Sequence, residues 1–95
     1  MKKAKAKSYA SVWDAIADSP KEAENLKLRA ELMDQISTIV AKRGWTQAEA
    51  AGRCGVTQPR LNDLMRGKLS RFSLDALVNM ASALGQRVQL KLAAA

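Results

Sequence analysis

Between Thr57 and Lys68 the chain reads TQPRLNDLMRGK, and five of these side chains, Gln58, Pro59, Arg60, Asn62 and Asp63, suit one kind of chemistry, contact with the edges of nucleic-acid bases. Gln58 and Asn62 carry amides that pair two-point with adenine, Arg60 carries a fork that pairs with guanine, and Asp63 can accept from cytosine. Each good two-point pair discriminates by about 1–3 kcal/mol. Asp63 has a second option, which is to hold Arg60 or Arg66 in place. Catalysis has little to draw on. The chain has no histidine, the commonest general base and metal ligand, and its single cysteine excludes an internal disulfide and any Cys-based zinc site. No metal or cofactor is expected, and Cys54 reads as a small buried apolar residue that would stay reduced.

Reading bases requires a rigid element that carries these side chains into a groove. Thr46 followed by Glu49 is a capping box, so a helix starts at about Gln47. It is short, because Gly55 sits where a turn needs positive φ, and Thr57 restarts the chain as a second N-cap. Pro59 falls in the first turn of the new helix, where a missing N–H costs little. That helix runs from about Gln58 to Arg66 and stops at Gly67. Ala51, Val56, Leu61 and Leu64 supply the buried side of two crossing helices, which is the layout of a helix-turn-helix over residues 46–67.

Charge is distributed in keeping with that reading. The net charge of +7 is concentrated in residues 1–8, with four Lys, and in residues 41–71, with seven basic side chains against Glu49 and Asp63. A basic patch coinciding with a helix-turn-helix is the electrostatic footprint of a duplex DNA binder.

Arg43 to Lys68 resembles the repressor and Cro type helix-turn-helix proteins of phages and bacteria: Gln47 opens the first helix, Ala51 is its small residue, Gly55 is the turn, and Val56, Leu61 and Leu64 are the core. Ala50 and Cys54 depart from the pattern, being smaller than the leucines usual there, so their packing must be filled from elsewhere. The resemblance implies that the second helix enters the major groove N-terminal end first. It also implies that Gln47 lies on a phosphate, where it can brace Gln58. Arg43, Thr46, Thr57, Lys68, Ser70 and Arg71 surround the groove as phosphate candidates, with Arg53 and Arg66 behind them.

The flanks build a single domain around the motif, since 95 residues hold one core and not two. Residues 1–10 are expected to be a disordered basic tail, either an arm that follows phosphates or the minor groove, or simply a solubilising end. Ser11 with Asp14 caps a short helix carrying Val12, Trp13 and Ile16, whose Trp needs a surface from the next helix or a partner. Ser19-Pro20-Lys21-Glu22 starts a long helix that runs to Arg43 and closes at Gly44, with Leu28, Leu32, Met33, Ile36, Ile39 and Val40 in an apolar stripe. Leu26 and Leu28 are expected to cover Trp13, and Trp45 to pack beneath the motif. KLSRF is a basic loop. Ser73 caps a terminal helix ending at Gly85, apolar on two sides, and Leu77, Val78 and Ala81 are expected to meet a second subunit. Gln86 to Leu92 alternates, with Val88, Leu90 and Leu92 on one side. It reads as a strand, and the simplest partner is the same strand of a second copy about a two-fold axis. The alternative is a frayed tail.

Taken together, EAENLKLRAELM, TQAEAA, QPRLNDLMRGK, FSLDALVNMASALG and GQRVQLKL resemble the HigA-like antitoxins and related small XRE-type regulators, over Val12 to Leu92. The resemblance implies an all-α, lambda-repressor-like domain of five helices with an N-terminal helical extension and a C-terminal strand pairing across a homodimer. It further implies a repressor of a palindromic operator and, in many members, an antitoxin that neutralises a RelE-fold ribonuclease toxin. Val12, Trp13, Ile16 and Leu26 are the candidate toxin contacts. Two other classes stay open. One is a stand-alone regulator without a toxin, and the other is a protein-interaction module whose basic surface is incidental. RNA binding is disfavoured because the motif has no aromatic stacking platform. No apolar run approaches the roughly 18 residues of a membrane span and no signal-peptide core follows the lysines, so a cytosolic location is expected.

Overall fold

Each α-helix among the described residues starts on a side chain that accepts one of its own first-turn N–H groups. In the computed structural model, which describes residues 19–94, α1 spans Pro20–Arg43, α2 Gln47–Cys54, α3 Gln58–Met65 and α4 Leu74–Ala83, with a 3₁₀ turn at Leu69–Arg71. The Ser19, Thr46, Thr57 and Ser73 hydroxyls each accept a backbone N–H three residues on, at 3.2, 3.1, 3.4 and 3.1 Å. At Thr46 the capping box is complete, because the Thr46 N–H donates to Glu49 Oε1 at 3.0 Å. Thr46→Ala is therefore expected to cost about 1 kcal/mol, read as a lower urea midpoint with an unchanged slope.

Gly44 and Gly55 end α1 and α2 with φ of 67° and 73°, the left-handed region that a side chain rarely adopts. The second of these folds α3 across α2. A Cβ added at Gly55 would lie 4.0 Å from Ala83 Cβ, so the turn rests on the end of α4.

The core is a single cluster of Met33, Ile36 and Val40 from α1, Ala50, Ala51 and Cys54 from α2, Leu61 and Leu64 from α3, Phe72, and Leu77, Met80 and Ala81 from α4. Only small side chains come from α2, so it lies directly against α3 and α4. Ala50 and Cys54 share this cluster with larger side chains, Phe72, Met33 and Met80 among them. Burial pushes the Cys54 thiol above its ordinary range, and as a free, buried thiol it fits the packing role. Leu32, Trp45, Val56, Leu69, Leu84 and Val88 cover the cluster as half-buried neighbours.

One expectation, the C-terminal strand, needs correction; of the five expected helices four are present among the described residues, and the 3₁₀ turn forms within the expected basic loop. The expected helix of Val12, Trp13 and Ile16, and the basic tail, lie outside the described residues. No strand is present in residues 86–94. The physical reason is that a lone strand has nowhere to place its backbone hydrogen bonds, and no other described segment offers an edge.

Candidate nucleic-acid interface

The geometry of α3 follows from its anchors. Leu61 and Leu64 are each 1% exposed and hold one side of the helix in the core. With 100° per residue that leaves Gln58, Pro59, Asn62, Asp63 and Arg66 turned outward. Gln58, Pro59 and Arg66 are exposed, while Asn62 and Asp63 are half-buried. The helix starts on Thr57 with Pro at its second position, so its N-terminal end is tightly defined.

Arg60 sits differently from a base reader. Its guanidinium carbon lies 4.4 Å from the centroid of the Phe72 ring, and its Nη1 donates to the Arg71 carbonyl at 2.9 Å. Asp63 takes the second of its two options, but with other partners than Arg60 or Arg66. Its carboxylate meets Lys68 Nζ at 3.7 Å and Arg71 Nη1 at 3.4 Å. Ion pairs this exposed are weak, so Lys68 and Arg71 are oriented by Asp63 without being locked to it. Arg66 makes no ion pair with any described residue.

The loop after α3 presents Lys68, Ser70 and Arg71 next to the exposed end of the helix. Ser70 and Arg71 are exposed and Lys68 half-buried. The backbone of this loop is held from the opposite side by Arg29 of α1. Arg29 Nη1 donates to the Leu69 and Phe72 carbonyls at 3.4 and 3.1 Å, and its Nε is fixed by Asn25 Oδ1 at 2.7 Å. Neither Arg29 nor Phe72 is signalled by periodicity. The one available hint for Phe72 is that it is the sole Phe of a chain poor in aromatics, set in an otherwise basic loop.

At the start of the motif, Trp45 is half-buried against the core and stacks with two cations. The guanidinium carbons of Arg43 and Arg53 lie 5.4 and 5.2 Å from its ring centroid. Arg53, ranked behind the other phosphate candidates in the sequence, thus shares a platform with Arg43. Thr46 and Thr57 use their hydroxyls as caps. Gln47 is exposed at the first position of α2, and its side chain shares no hydrogen bond with Gln58.

The residues expected to join two copies divide into two groups. Leu77 is 0% exposed and Ala81 3%, so both are spent in the chain's own core and have no surface for a partner. Val78, Leu90 and Leu92 are exposed, and Val88 is half-buried against the core. Between α1, α4 and the C-terminal residues runs a groove of about 400 Å³, with Leu28, Leu32, Ile39, Val78, Val88 and Leu90 among its lining. Leu26, a candidate toxin contact, is half-buried on α1, whereas Val12, Trp13 and Ile16 lie outside the described residues.

Among the described residues no group of His, Cys, Asp or Glu could hold a metal ion, and no helix is long and apolar enough to cross a membrane. The arrangement is one of donors and cations around a short exposed helix. The sequence matches the helix-turn-helix domain family over residues 15–93. No curated protein matches it.

Proposed function

We propose that this chain, which belongs to the helix-turn-helix domain family, is a sequence-specific DNA-binding regulator that acts as a repressor and places α3 in the major groove. One observation carries the reading: α3 is anchored by Leu61 and Leu64 with Gln58, Pro59 and Asn62 turned outward, beside a loop bearing Lys68, Ser70 and Arg71. Such a helix positions amides for base edges, while the loop cations and Arg43 neutralise phosphates, the usual division of labour between specificity and affinity.

Two substitutions separate these roles. Gln58→Ala is expected to relax discrimination at one base position by about 1–3 kcal/mol while leaving binding to random DNA unchanged. Lys68→Ala is expected to weaken operator and random DNA alike and to lower the slope of log K against log salt by about one. Fluorescence anisotropy titrations on both duplexes, at several salt concentrations, measure each effect. Equal losses on both duplexes for Gln58→Ala would remove it from base reading.

A single α3 spans too few bases for useful specificity, so the regulator is proposed to act as a homodimer on an inverted repeat, its two α3 helices about 34 Å apart. The surface left for pairing is Val78, Leu90 and Leu92 with the edge of Val88, and residues 86–92 become a two-fold paired strand only when a second copy supplies the edge. The further reading as an antitoxin of a RelE-fold toxin is supported by the resemblance of Val12 to Leu92 to HigA-like proteins. Coexpression with the product of the adjacent reading frame tests it. Failure to form a complex would end the antitoxin reading and leave the regulator intact.

A further inference from the structure

We propose that Arg29 and Arg60 are positioning residues of the interface: they set the loop Lys68–Phe72 from its two sides, and so fix where Lys68, Ser70 and Arg71 meet the DNA backbone. The inference rests on the DNA-binding reading above and deepens it. It assigns Arg60 a different task from the base reading that its place on α3 suggests.

The loop has little of its own to hold it. Its backbone bonds are local, with Leu69 N to Gly67 O at 2.8 Å, Arg71 N to Lys68 O at 3.1 Å and Phe72 N to Leu69 O at 3.2 Å. A 3₁₀ turn of three residues is a weak element, and this one has no side-chain cap. Three of its carbonyls, those of Leu69, Arg71 and Phe72, also accept from guanidinium groups outside the turn. Arg29 reaches two of them from α1, and Arg60 reaches the third from α3. The Phe72 ring, 1% exposed, anchors the loop in the core, and Arg60 lies over that ring. With its carbonyls held inward, the loop turns Lys68, Ser70 and Arg71 outward, and Asp63 gathers the two cations at their base.

Arginine suits this task and lysine does not. The planar fork donates to more than one acceptor and stacks on a ring, whereas an ammonium is a hydrated point charge. A guanidinium bonded to the Arg71 carbonyl and stacked on Phe72 is also not at a base edge. The two roles exclude each other for one side chain, which makes them separable by experiment. Arg29 lies on α1, outside the motif, and its guanidinium is bonded to the loop carbonyls and to Asn25.

The test uses the full chain with the charge-preserving variants Arg29→Lys and Arg60→Lys, each titrated against an operator duplex and a random duplex from low to high salt. Circular dichroism melting fixes a working temperature well below each transition. Because charge is unchanged, a smaller salt slope means lost phosphate contacts and not a lost cation. Both variants are expected to lower the slope by about one to two, the share of Lys68 and Arg71, and to weaken both duplexes equally, by about three- to tenfold. Amides of Leu69, Arg71 and Phe72 should exchange faster. An Arg60→Lys variant that loses affinity for the operator alone, with its slope unchanged, makes Arg60 a base reader and overturns the proposal. Variants that melt earlier but keep the wild-type slope on both duplexes reduce both arginines to structural roles and overturn it as well. Should Arg29→Lys not fold, Arg60→Lys decides alone. Wild-type protein that binds neither duplex defeats the DNA-binding reading itself and the proposal with it, an outcome distinct from a defect confined to the variants.

Discussion

Phe72→Ala is expected to bring the protein close to unfolding. Among the described residues the ring is the largest fully buried side chain, and truncating such a residue costs about 3–5 kcal/mol through lost transfer free energy and the cavity left behind. For a domain of this size that lowers Tm by roughly 15–30 °C, against a total stability of about 5–15 kcal/mol. The effect has a second part. Phe72 lies under Arg60, and its own carbonyl accepts from Arg29, so the truncation also loosens the loop that carries Lys68 and Arg71. Phe72→Leu separates the two contributions, because it keeps most of the packing and removes the aromatic face. It should cost about 1–2 kcal/mol and still lower the salt dependence of DNA binding. Thermal melting of both variants by circular dichroism gives the first result, and a Phe72→Ala protein that melts within a few degrees of wild type would show that the ring is not the anchor described.

The second large effect concerns pairing of two copies. Leu90 is 81% exposed and Leu92 fully so, and neither contributes to the core of its own chain. On the proposed dimer, Leu90→Lys combined with Leu92→Lys places like charges across the two-fold axis and should convert a dimer into a monomer without altering the helical spectrum. Operator affinity should then fall by about a hundredfold or more, since the two reading helices no longer act as one bivalent unit. Binding to random DNA should hold or rise slightly with the added charge. Analytical ultracentrifugation beside the titration decides the matter. Cutting the chain after Gly85 is a poorer experiment, because it also removes Val88, which packs against the core. A doubly substituted protein that still sediments as a dimer would move the interface elsewhere.

What could be read from the residues was whatever depends on neighbours in sequence. Ser19, Thr46, Thr57 and Ser73 act as caps, and Gly44, Gly55, Gly67 and Gly85 all adopt positive φ where helices end. These rules operate within four residues, so each is visible in a short window. The anchors Ala51, Leu61 and Leu64 follow from helical period in the same way. What escaped depends on residues far apart. Arg29 bonds carbonyls 40 and 43 positions away, and Arg60 is drawn to a ring 12 residues on, which no pattern along the chain announces. Asp63 lay within reach of several cations, and only the path of the loop chooses Lys68 and Arg71 over Arg60 and Arg66. The apolar breadth of α4 is legible in the residues and its division is not: Leu77 and Ala81 are buried in the core, and Val78 is exposed. The alternation of residues 86–92 shows which side chains could share a face, and pairing needs an edge that one chain does not possess.

The self-sufficient ends of the helices bear also on how fast the protein assembles. Helices α2, α3 and α4 have 8, 8 and 10 residues, and each carries its own N-terminal cap and a glycine or turn that stops it. Such segments flicker into helix within about a microsecond and need no distant contact to find their limits. The long closures all involve α1, which docks on α3, on the 3₁₀ turn and on α4, and so brings Ile36 and Leu77 into one core across the intervening motif. Chains dominated by local contacts fold in about microseconds to milliseconds, so newly made copies should be competent long before dilution or proteolysis removes them, and the level of active protein should follow its rate of synthesis closely.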